Sequence, residues 1–449
     1  MSVAPITAKR QVSTHEADAL LTPLLRFDAL LLAVSGGSDS MALLELVADW
    51  RRRQRAAPPV FVATVDHALR AESRAEAEFV AARCAELGVT HAILTWVDVK
   101  PLTGVANAAR EARYRLLLDH VQTLVPFRRC AVVTAHTLDD QAETLVMRLA
   151  RGSGIDGLAA MPRERPLRDG EATMLVRPLL GVAKARLFAT LLARGRTWSD
   201  DPGNSNLASE RARVRVAMST LADVGVGARQ LAVSALRLGD ARAALAYADK
   251  AFETTVSLDL NGEIFASLDR ARFTDGPALL RLRLLRRLIA RFGGDTPAPS
   301  LSEIEALAER LATSERVGAT LGGVEVSASS RALKLWRERG RVSKSAFAMP
   351  PNTAAVWDNR FLLRRDGRPD IDVIVRPLGA EGRRWLAPVW SISHSPPAAA
   401  VEGQPAFWTG DQLIAVPSLL GVVKVMQLYP VDGLTLQSTA TAGLRNHLD

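Results

Sequence analysis

The stretch Ala29-Leu30-Leu31-Leu32-Ala33-Val34-Ser35-Gly36-Gly37-Ser38-Asp39-Ser40-Met41-Ala42-Leu43-Leu44-Glu45-Leu46 decides the fold. An apolar run reads as a buried strand, a short polar loop follows, and helical spacing of apolar residues comes after it. Strand, tight loop and helix together suit an anion. Two glycines let the backbone approach a ligand, hydroxyls donate, and the amides of the first helical turn point at negative charge. Ser35, Gly36, Gly37, Ser38, Asp39 and Ser40 are therefore phosphate-binding candidates. The loop has no Lys, so it is not the GxxxxGK[ST] type. A Ser/Gly loop carrying an Asp suits a nucleotide split between its α- and β-phosphates. Ser, Gly and Asp also serve as plain turn and cap residues, so the rest of the chain must decide.

Working outward, strands are expected at 29–35, 60–66, 91–97 and 130–136, and helices at 40–53, 73–87, 106–121 and 139–151. This alternation predicts an α/β fold with a doubly wound parallel sheet, whose ligands lie at the carboxyl ends of the strands. The loop at 35–40, the Asp66-His67 pair and the segment around His136 all fall at those ends. Beyond residue 200 the pattern changes. Ala, Leu and Arg at helical spacing over 211–245, 276–292 and 302–312 predict a helical domain, and a Gly-Gly turn within 318–337 predicts a hairpin. From about residue 350 Pro, Gly, Trp and Val dominate, which predicts a small β-rich domain. The expected division is 1–216, 217–345 and 346–449.

A chain of 449 residues with 48% apolar content has material for two or three domains. Its 57 Lys and Arg exceed its 48 Asp and Glu, for a net charge of +9, and Arg outnumbers Lys. Arg makes bidentate phosphate contacts, so a polyanionic partner is expected. The two cysteines, Cys84 and Cys130, form no CxxC pair. They argue against a disulfide framework, zinc or an iron–sulfur cluster, and both are expected as small buried residues. The first 19 residues lack the apolar core of a signal peptide, and no run is long enough to span a bilayer. A cytoplasmic, soluble protein is expected.

Four further segments carry chemistry. Val65-Asp66-His67-Ala68-Leu69-Arg70 ends the second strand; its Asp can bind an adenosine or a metal, and His67 and Arg70 can face phosphate. Ala135-His136-Thr137-Leu138-Asp139-Asp140-Gln141-Ala142-Glu143-Thr144 places Asp140 and Glu143 three apart on one face of a new helix. Two carboxylates near phosphates can hold Mg²⁺, orient an ammonium group or take its proton; helix capping explains one acid without any function. Arg110 and Arg113 share a helical face, and Arg211, Arg213 and Arg215 follow the turn-like Asp201-Pro202-Gly203-Asn204. All five can meet phosphate, and plain surface charge is the rival reading. Gly152-Ser153-Gly154-Ile155-Asp156-Gly157 spells GxGxxG, but after a helix rather than a strand. A nicotinamide or flavin cofactor is rejected on that ground.

The set resembles the bacterial tRNA(Ile)-lysidine synthetases of the PP-loop ATP pyrophosphatase group. The matching pieces are SGGSDS at 35–40, VDHALR at 65–70, AREARY at 109–114 and AHTLDDQAET at 135–144. RGSGIDGLAAM at 151–161, RPLL at 177–180 and DPGN at 201–204 follow in the family's order. Beyond 216 the likeness rests on TLGG at 320–323 and VRPLGAEG at 375–382. The family usually has Arg-Asn where this chain has Arg211-Ala212.

The resemblance implies ATP-dependent ligation of free L-lysine to C2 of the wobble cytidine of tRNA(Ile) with a CAU anticodon. The cytidine is adenylated, pyrophosphate leaves, and the lysine amine displaces AMP. It implies that the PP loop cradles pyrophosphate and that Asp39 supports Mg²⁺. Asp66, His67 and His136 would border ATP, and Asp140 and Glu143 would hold lysine with Arg215 assisting. Arg70, Arg110, Arg113, Arg211 and Arg213 would contact tRNA, with the helical and β-rich portions gripping the rest of it; a homodimer is a further expectation. The rival readings are a PP-loop tRNA thiolation enzyme, which generally needs cysteines, and a catalytically inactive tRNA-binding protein.

Overall fold

A computed structural model describes residues 10–69, 72–124, 127–168, 172–199, 210–342, 346–366, 372–386, 396–419 and 434–438. Arg70 and the 201–204 motif lie outside the described residues. The chain forms two compact units, Met1–Ala243 and Ala244–His447.

The first unit is a six-stranded sheet with helices on both faces. Its strands are β1 (Ala29–Ala33), β2 (Val60–Asp66), β3 (Thr90–Thr95), β4 (Cys130–Val133), β5 (Glu164–Pro166) and β6 (Met174–Val176), in the order β3-β2-β1-β4-β6-β5. All pairings are parallel except that of the edge strand β5 with β6. The apolar parity of β1 explains the two layers. Leu30 and Leu32 pack into one core with Leu43, Val47, Cys84 and Leu187, while Ala29 and Leu31 pack into another with Leu117, Leu118 and Val121. Those residues belong to helices α2 (Ser38–Arg53), α3 (Ser73–Leu87) and α7 (Lys184–Ala193) on one side, and to α4 (Val105–Thr123) on the other. The remaining helices of this part are α1 (Thr14–Leu21), α5 (Leu138–Ala150), α6 (Ile155–Leu158) and α8 (Glu210–Asp223). β1 lies between β2 and β4, so the connections leave it in opposite directions. The crevice there is the topological switch point where such sheets bind ligands.

Three strands end before their expected limits, and β3 stops at Thr95. β1 and β4 stop at Ala33 and Val133, although the next amides still bond across the ladder, Val34 to Ala63 and Thr134 to Val176, at 3.0 Å each. The helical stretch expected over 211–245 is two helices. α8 ends at Asp223, Gly225 with φ +87° closes the turn after it, and α9 (Ala228–Thr255) follows. The GxGxxG segment follows α5, as its sequence context indicated, and is a clamped turn. Arg148 Nη1 donates to the carbonyls of Gly157 (2.6 Å) and Ala160 (3.2 Å), and Gln141 bonds both the amide and the carbonyl of Met161 at 2.8 Å. A Cβ on Gly157 would lie 2.7 Å from the Ser153 Cβ, so the last glycine is needed for packing.

The second unit is helical and strand-rich. Its helical part adds α10 (Arg270–Asp275), α11 (Ala278–Phe292) and α12 (Leu301–Thr313). The expected hairpin sits within a four-stranded antiparallel sheet of β7 (Phe265–Asp269), β8 (Val317–Leu321), β9 (Val324–Ala328) and β10 (Ala332–Arg337). Gly322 and Gly323, at φ +56° and +74°, make the tight β8–β9 turn. α11 and α12 cover this sheet through Leu284, Leu288, Leu307 and Leu311. The C-terminal part holds two more antiparallel sheets. One joins β11 (Phe347–Ala348), β14 (Ile374–Pro377), β15 (Pro405–Thr409) and β16 (Gln412–Ala415); the other joins β12 (Thr353–Trp357), β13 (Phe361–Arg365) and β17 (Leu434–Ser438). Helices α13 (Gly379–Leu386) and α14 (Ala398–Glu402) complete it. No helix of the described residues is long and apolar enough to cross a membrane.

Candidate active site

The carboxyl ends of β1, β2 and β4 bring three loops to one edge. After β1, Gly36 adopts φ +88°, a conformation other residues resist, and its carbonyl accepts from the Ser199 amide at 2.9 Å. Gly37 caps α2 with extended backbone. Ser40 seals the loop. Its Oγ accepts from the Ser35 amide at 3.2 Å, donates to the Gly37 carbonyl at 2.9 Å, and lies 3.3 Å from Ser35 Oγ. Ser38 opens α2, so the first-turn amides face the edge.

Asp39, in that first turn, is held by a residue the sequence reading missed. Lys184, at the start of α7, places Nζ 3.1 Å from Asp39 Oδ2. The Lys184 amide donates to Asp139 Oδ2 at 2.7 Å, which ties α7 to the start of α5. Burial raises the Asp39 carboxyl above its usual range and outweighs Lys184; Asp140 and Asp139 push the same way. Asp39 Oδ1 is buried and has no hydrogen-bond partner.

After β2, Asp66 is committed to its own loop. Its Oδ1 accepts from the Ala68 amide at 2.8 Å and from Ser73 Oγ at 2.6 Å. Burial works to raise this carboxyl, but those two bonds hold it below the usual range. His67 is pushed down to about 4 by burial and by Arg113, so it is neutral at pH 7. Arg113 Nη2 stands 3.3 Å from His67 Nε2 and can only donate, so Nδ1 carries the ring proton; Nδ1 is buried and without a partner. Arg110 lies over the Tyr114 ring at 5.2 Å.

After β4, His136 is likewise lowered, by burial first and then by Arg177, and its Nδ1 bonds Thr134 Oγ1 at 2.9 Å. α5 opens with a capping box. Asp140 Oδ2 accepts from the Thr137 amide and hydroxyl, both at 2.8 Å, while Thr137 Oγ1 accepts from the Asp140 amide at 3.3 Å. Capping thus occupies one oxygen of Asp140 and leaves Oδ1 for other work. Burial raises this carboxyl, but His136, the Thr137 amide and Arg211 together bring it below the usual range.

Glu143, one turn on, is buried, with two arginines of α8 on it: Arg215 Nε at 2.6 Å from Oε1 and Arg211 Nε at 3.1 Å from Oε2. Arg215 also feels the charges of Asp140 and Asp39, which ties the α5 acids to the loop after β1. Arg211 therefore stands with Glu143 inside the site, whereas Arg213 projects outward from the same helix. Ala212 is buried. The sequence signal for Lys184 was weak: a lysine just after the RPLL segment at the head of a helix.

Mg²⁺ binds through one or two carboxylates plus substrate phosphates. Asp39, with its buried and unpartnered Oδ1 beside the acids of α5, fits that demand. Among the described residues there is no cluster of three or more His, Cys, Asp or Glu able to hold a metal without a substrate. Burial pushes the Cys84 thiol up to about 12 and also raises Cys130, so neither is poised as a thiolate.

Residues 9–221 match the family model of the PP-loop domain. The tRNA(Ile)-lysidine synthase of Bradyrhizobium sp. strain BTAi1 is 42% identical over 346 residues, covering 72% of this chain and 94% of its own length. That of Rhodopseudomonas palustris is 46% identical over 306 residues, covering 68% and 86%. That of Ruegeria pomeroyi is 37% identical over 388 residues, covering 86% and 87%.

Proposed function

Because this chain belongs to the tRNA(Ile)-lysidine synthase family, we propose that the edge around Asp39, Asp140 and Glu143 is where it joins lysine to tRNA. As a member it is a PP-loop ligase that forms lysidine in tRNA(Ile) with ATP. The observation that carries the site assignment is convergence: Lys184 pairs with Asp39 through Nζ and bonds Asp139 through its amide, so the loop after β1 and the start of α5 meet on one residue.

In the first step the C2 oxygen of the wobble cytidine attacks the α-phosphate of ATP. Ser35, Gly36, Gly37, Ser38 and Ser40 cradle the leaving pyrophosphate with amides and hydroxyls, and Lys184 supplies a cation beside them. Bound Mg²⁺ would neutralise charge developing on the phosphates, and Asp39 is the residue that would hold it. His67, neutral and with its Nδ1 proton unspent, offers a donor on the nucleotide side together with Asp66 and His136.

In the second step the ε-amine of free L-lysine displaces AMP from the activated ring. A lysine amine is protonated at pH 7 and must lose that proton to act. The two guanidiniums on Glu143 matter here. By offsetting its charge they keep Glu143 from holding the incoming ammonium protonated, so Asp140 is the carboxylate left to act on it. Asp140, with Oδ1 uncommitted, orients the group and takes its proton, while Glu143 fixes Arg211 and Arg215 around it.

Arg110, Arg113 and Arg213 would meet the RNA backbone, and the parts over 217–345 and 346–449 would hold the rest of the tRNA. Arg70 is proposed for the same role on sequence alone. A homodimer and a cytoplasmic location remain part of this reading. Unstacked anticodon bases can enter such a pocket without opening a duplex.

The test is transfer of labelled lysine onto purified tRNA(Ile) with a CAU anticodon, with ATP and Mg²⁺. Transfer that Asp140→Asn abolishes supports the assignment. Transfer unchanged in that variant overturns it, and tRNA-dependent pyrophosphate release without transfer would point to another nucleophile.

A further inference from the structure

The loop after β3 carries a surface that the chemistry above leaves unused. Val97 is 84% exposed, Val99 95% and Leu102 100%, and Leu69, beyond the end of the neighbouring strand β2, is exposed as well. Single exposed aliphatic residues are ordinary. Three on one short loop, with a fourth on the loop after the strand paired beside it, are a concentration that scatter does not explain.

The loop is anchored, so its exposure is built in. Trp96 is buried against Ala109 and Ala112 of α4, and its amide donates to the Asp66 carbonyl at 2.8 Å. The Trp96 indole donates to Asp98 Oδ2 at 3.0 Å, and Arg115 pairs with the same carboxylate. Lys100 lies 4.1 Å above the Trp96 ring and donates to the carbonyls of Trp96 and Asp98. The polar groups of the loop close on one another and leave the aliphatic ones to solvent. Trp96 also meets His67 edge-on, with ring centroids 6.0 Å apart, which sets the patch beside the site.

We propose that Leu69, Val97, Val99 and Leu102 form an apolar platform for the unstacked bases flanking the reacting cytidine. This rests on the reading that the anticodon loop of a tRNA is the substrate. Unstacked bases offer apolar faces between phosphates. This loop offers aliphatic groups close to two cations that no carboxylate pairs among the described residues: Lys100 over the Trp96 ring, and Arg113 on the His67 ring that Trp96 meets. A second copy of this chain would instead set those cations against their own kind.

The test uses the full chain carrying V97S, V99S and L102S together, with filter binding and steady-state kinetics on the isoleucine tRNA. Both Kd and KM for tRNA should rise about tenfold, or about 1.4 kcal/mol, with kcat at saturating tRNA held within about twofold. The slope of log Kd against log salt should not change, because serines release no counterions. Unchanged Kd and KM in a folded variant overturn the platform, as does an affinity loss that follows a change of sedimentation from dimer to monomer. If the triple variant unfolds, L102S alone decides, with a rise of about twofold in Kd expected. A wild-type chain that binds tRNA but forms no lysidine overturns the functional reading instead, and Kd then judges the platform separately.

Discussion

Replacing Glu143 by Gln should separate the two chemical steps. Glu143 is 5% exposed and carries Arg215 at 2.6 Å and Arg211 at 3.1 Å. Breaking a fully buried pair costs about 3–5 kcal/mol. Here the arginine side chains remain 35% and 39% exposed, so water screens them once the charge is gone. That reduces the expected stability loss to about 1–2 kcal/mol, which the fold can absorb. The loss to catalysis should be larger in consequence. One charge-assisted hydrogen bond to a cation, about 1.5–3 kcal/mol, is about 10- to 150-fold in rate. The assay follows pyrophosphate release and labelled lysine transfer in the same reaction, at several lysine concentrations. Glu143→Gln should keep tRNA-dependent pyrophosphate release near wild type while kcat/KM for lysine falls by that factor. If release and transfer fall together, or if the lysine dependence is untouched, Glu143 does not serve the second step and the reasoning fails.

Lys184→Met should raise the KM for ATP about tenfold, the effect of losing one charge-assisted contact, and leave KM for lysine alone; equal changes in both would refute its place beside the phosphates. Gly157→Ala should lower stability by about 1–3 kcal/mol, because the new methyl meets Ser153 at 2.7 Å in a clamped turn, and a urea titration reads it directly. Ala212→Asn, which restores the family's usual residue, should destabilise the chain by about 1–3 kcal/mol because the position is buried; a gain in melting temperature would contradict the packing described. His67 gives a pH dependence with a definite sign. Its ring is held near 4 in the folded chain, against about 6.5 when unfolded. Between those values the unfolded state binds more protons, so stability falls as pH drops through that window. His67→Gln should lose less stability than wild type between pH 7 and pH 5, measured as urea midpoints.

What the sequence made legible was local. The loop at 35–40 announced itself because strand, glycines and hydroxyls are consecutive, and α3 falls on its expected span of 73–87 for the same reason. The ends of β1 and β3 were read long because apolar residues, Val34 and Trp96-Val97, continue past the ladder, and that of β4 because the run to His136 carries no turn signal. Partners far apart in sequence were not legible. Spacing placed Arg211 and Arg215 on one helix, but not on a carboxylate 72 residues away from Arg215, and nothing near Asp39 in sequence pointed to Lys184. At Asp140 the capping reading is what the structure shows: one oxygen caps α5, and the other is left for the proposed chemistry.

The contact between Lys184 and Asp39 has a consequence for how ATP enters. Before any nucleotide arrives, the ammonium and the carboxylate neutralise each other at 3.1 Å. A polyphosphate accompanied by a divalent cation brings one partner for each of them. On the proposed assignment Lys184 turns to the phosphate as Asp39 turns to the cation, so the pocket would trade an internal pair for two external ones, without passing through a stage where a lone charge sits dry. Loading the site is then an ion exchange, and its cost should depend less on burial than on how well the two incoming charges are matched.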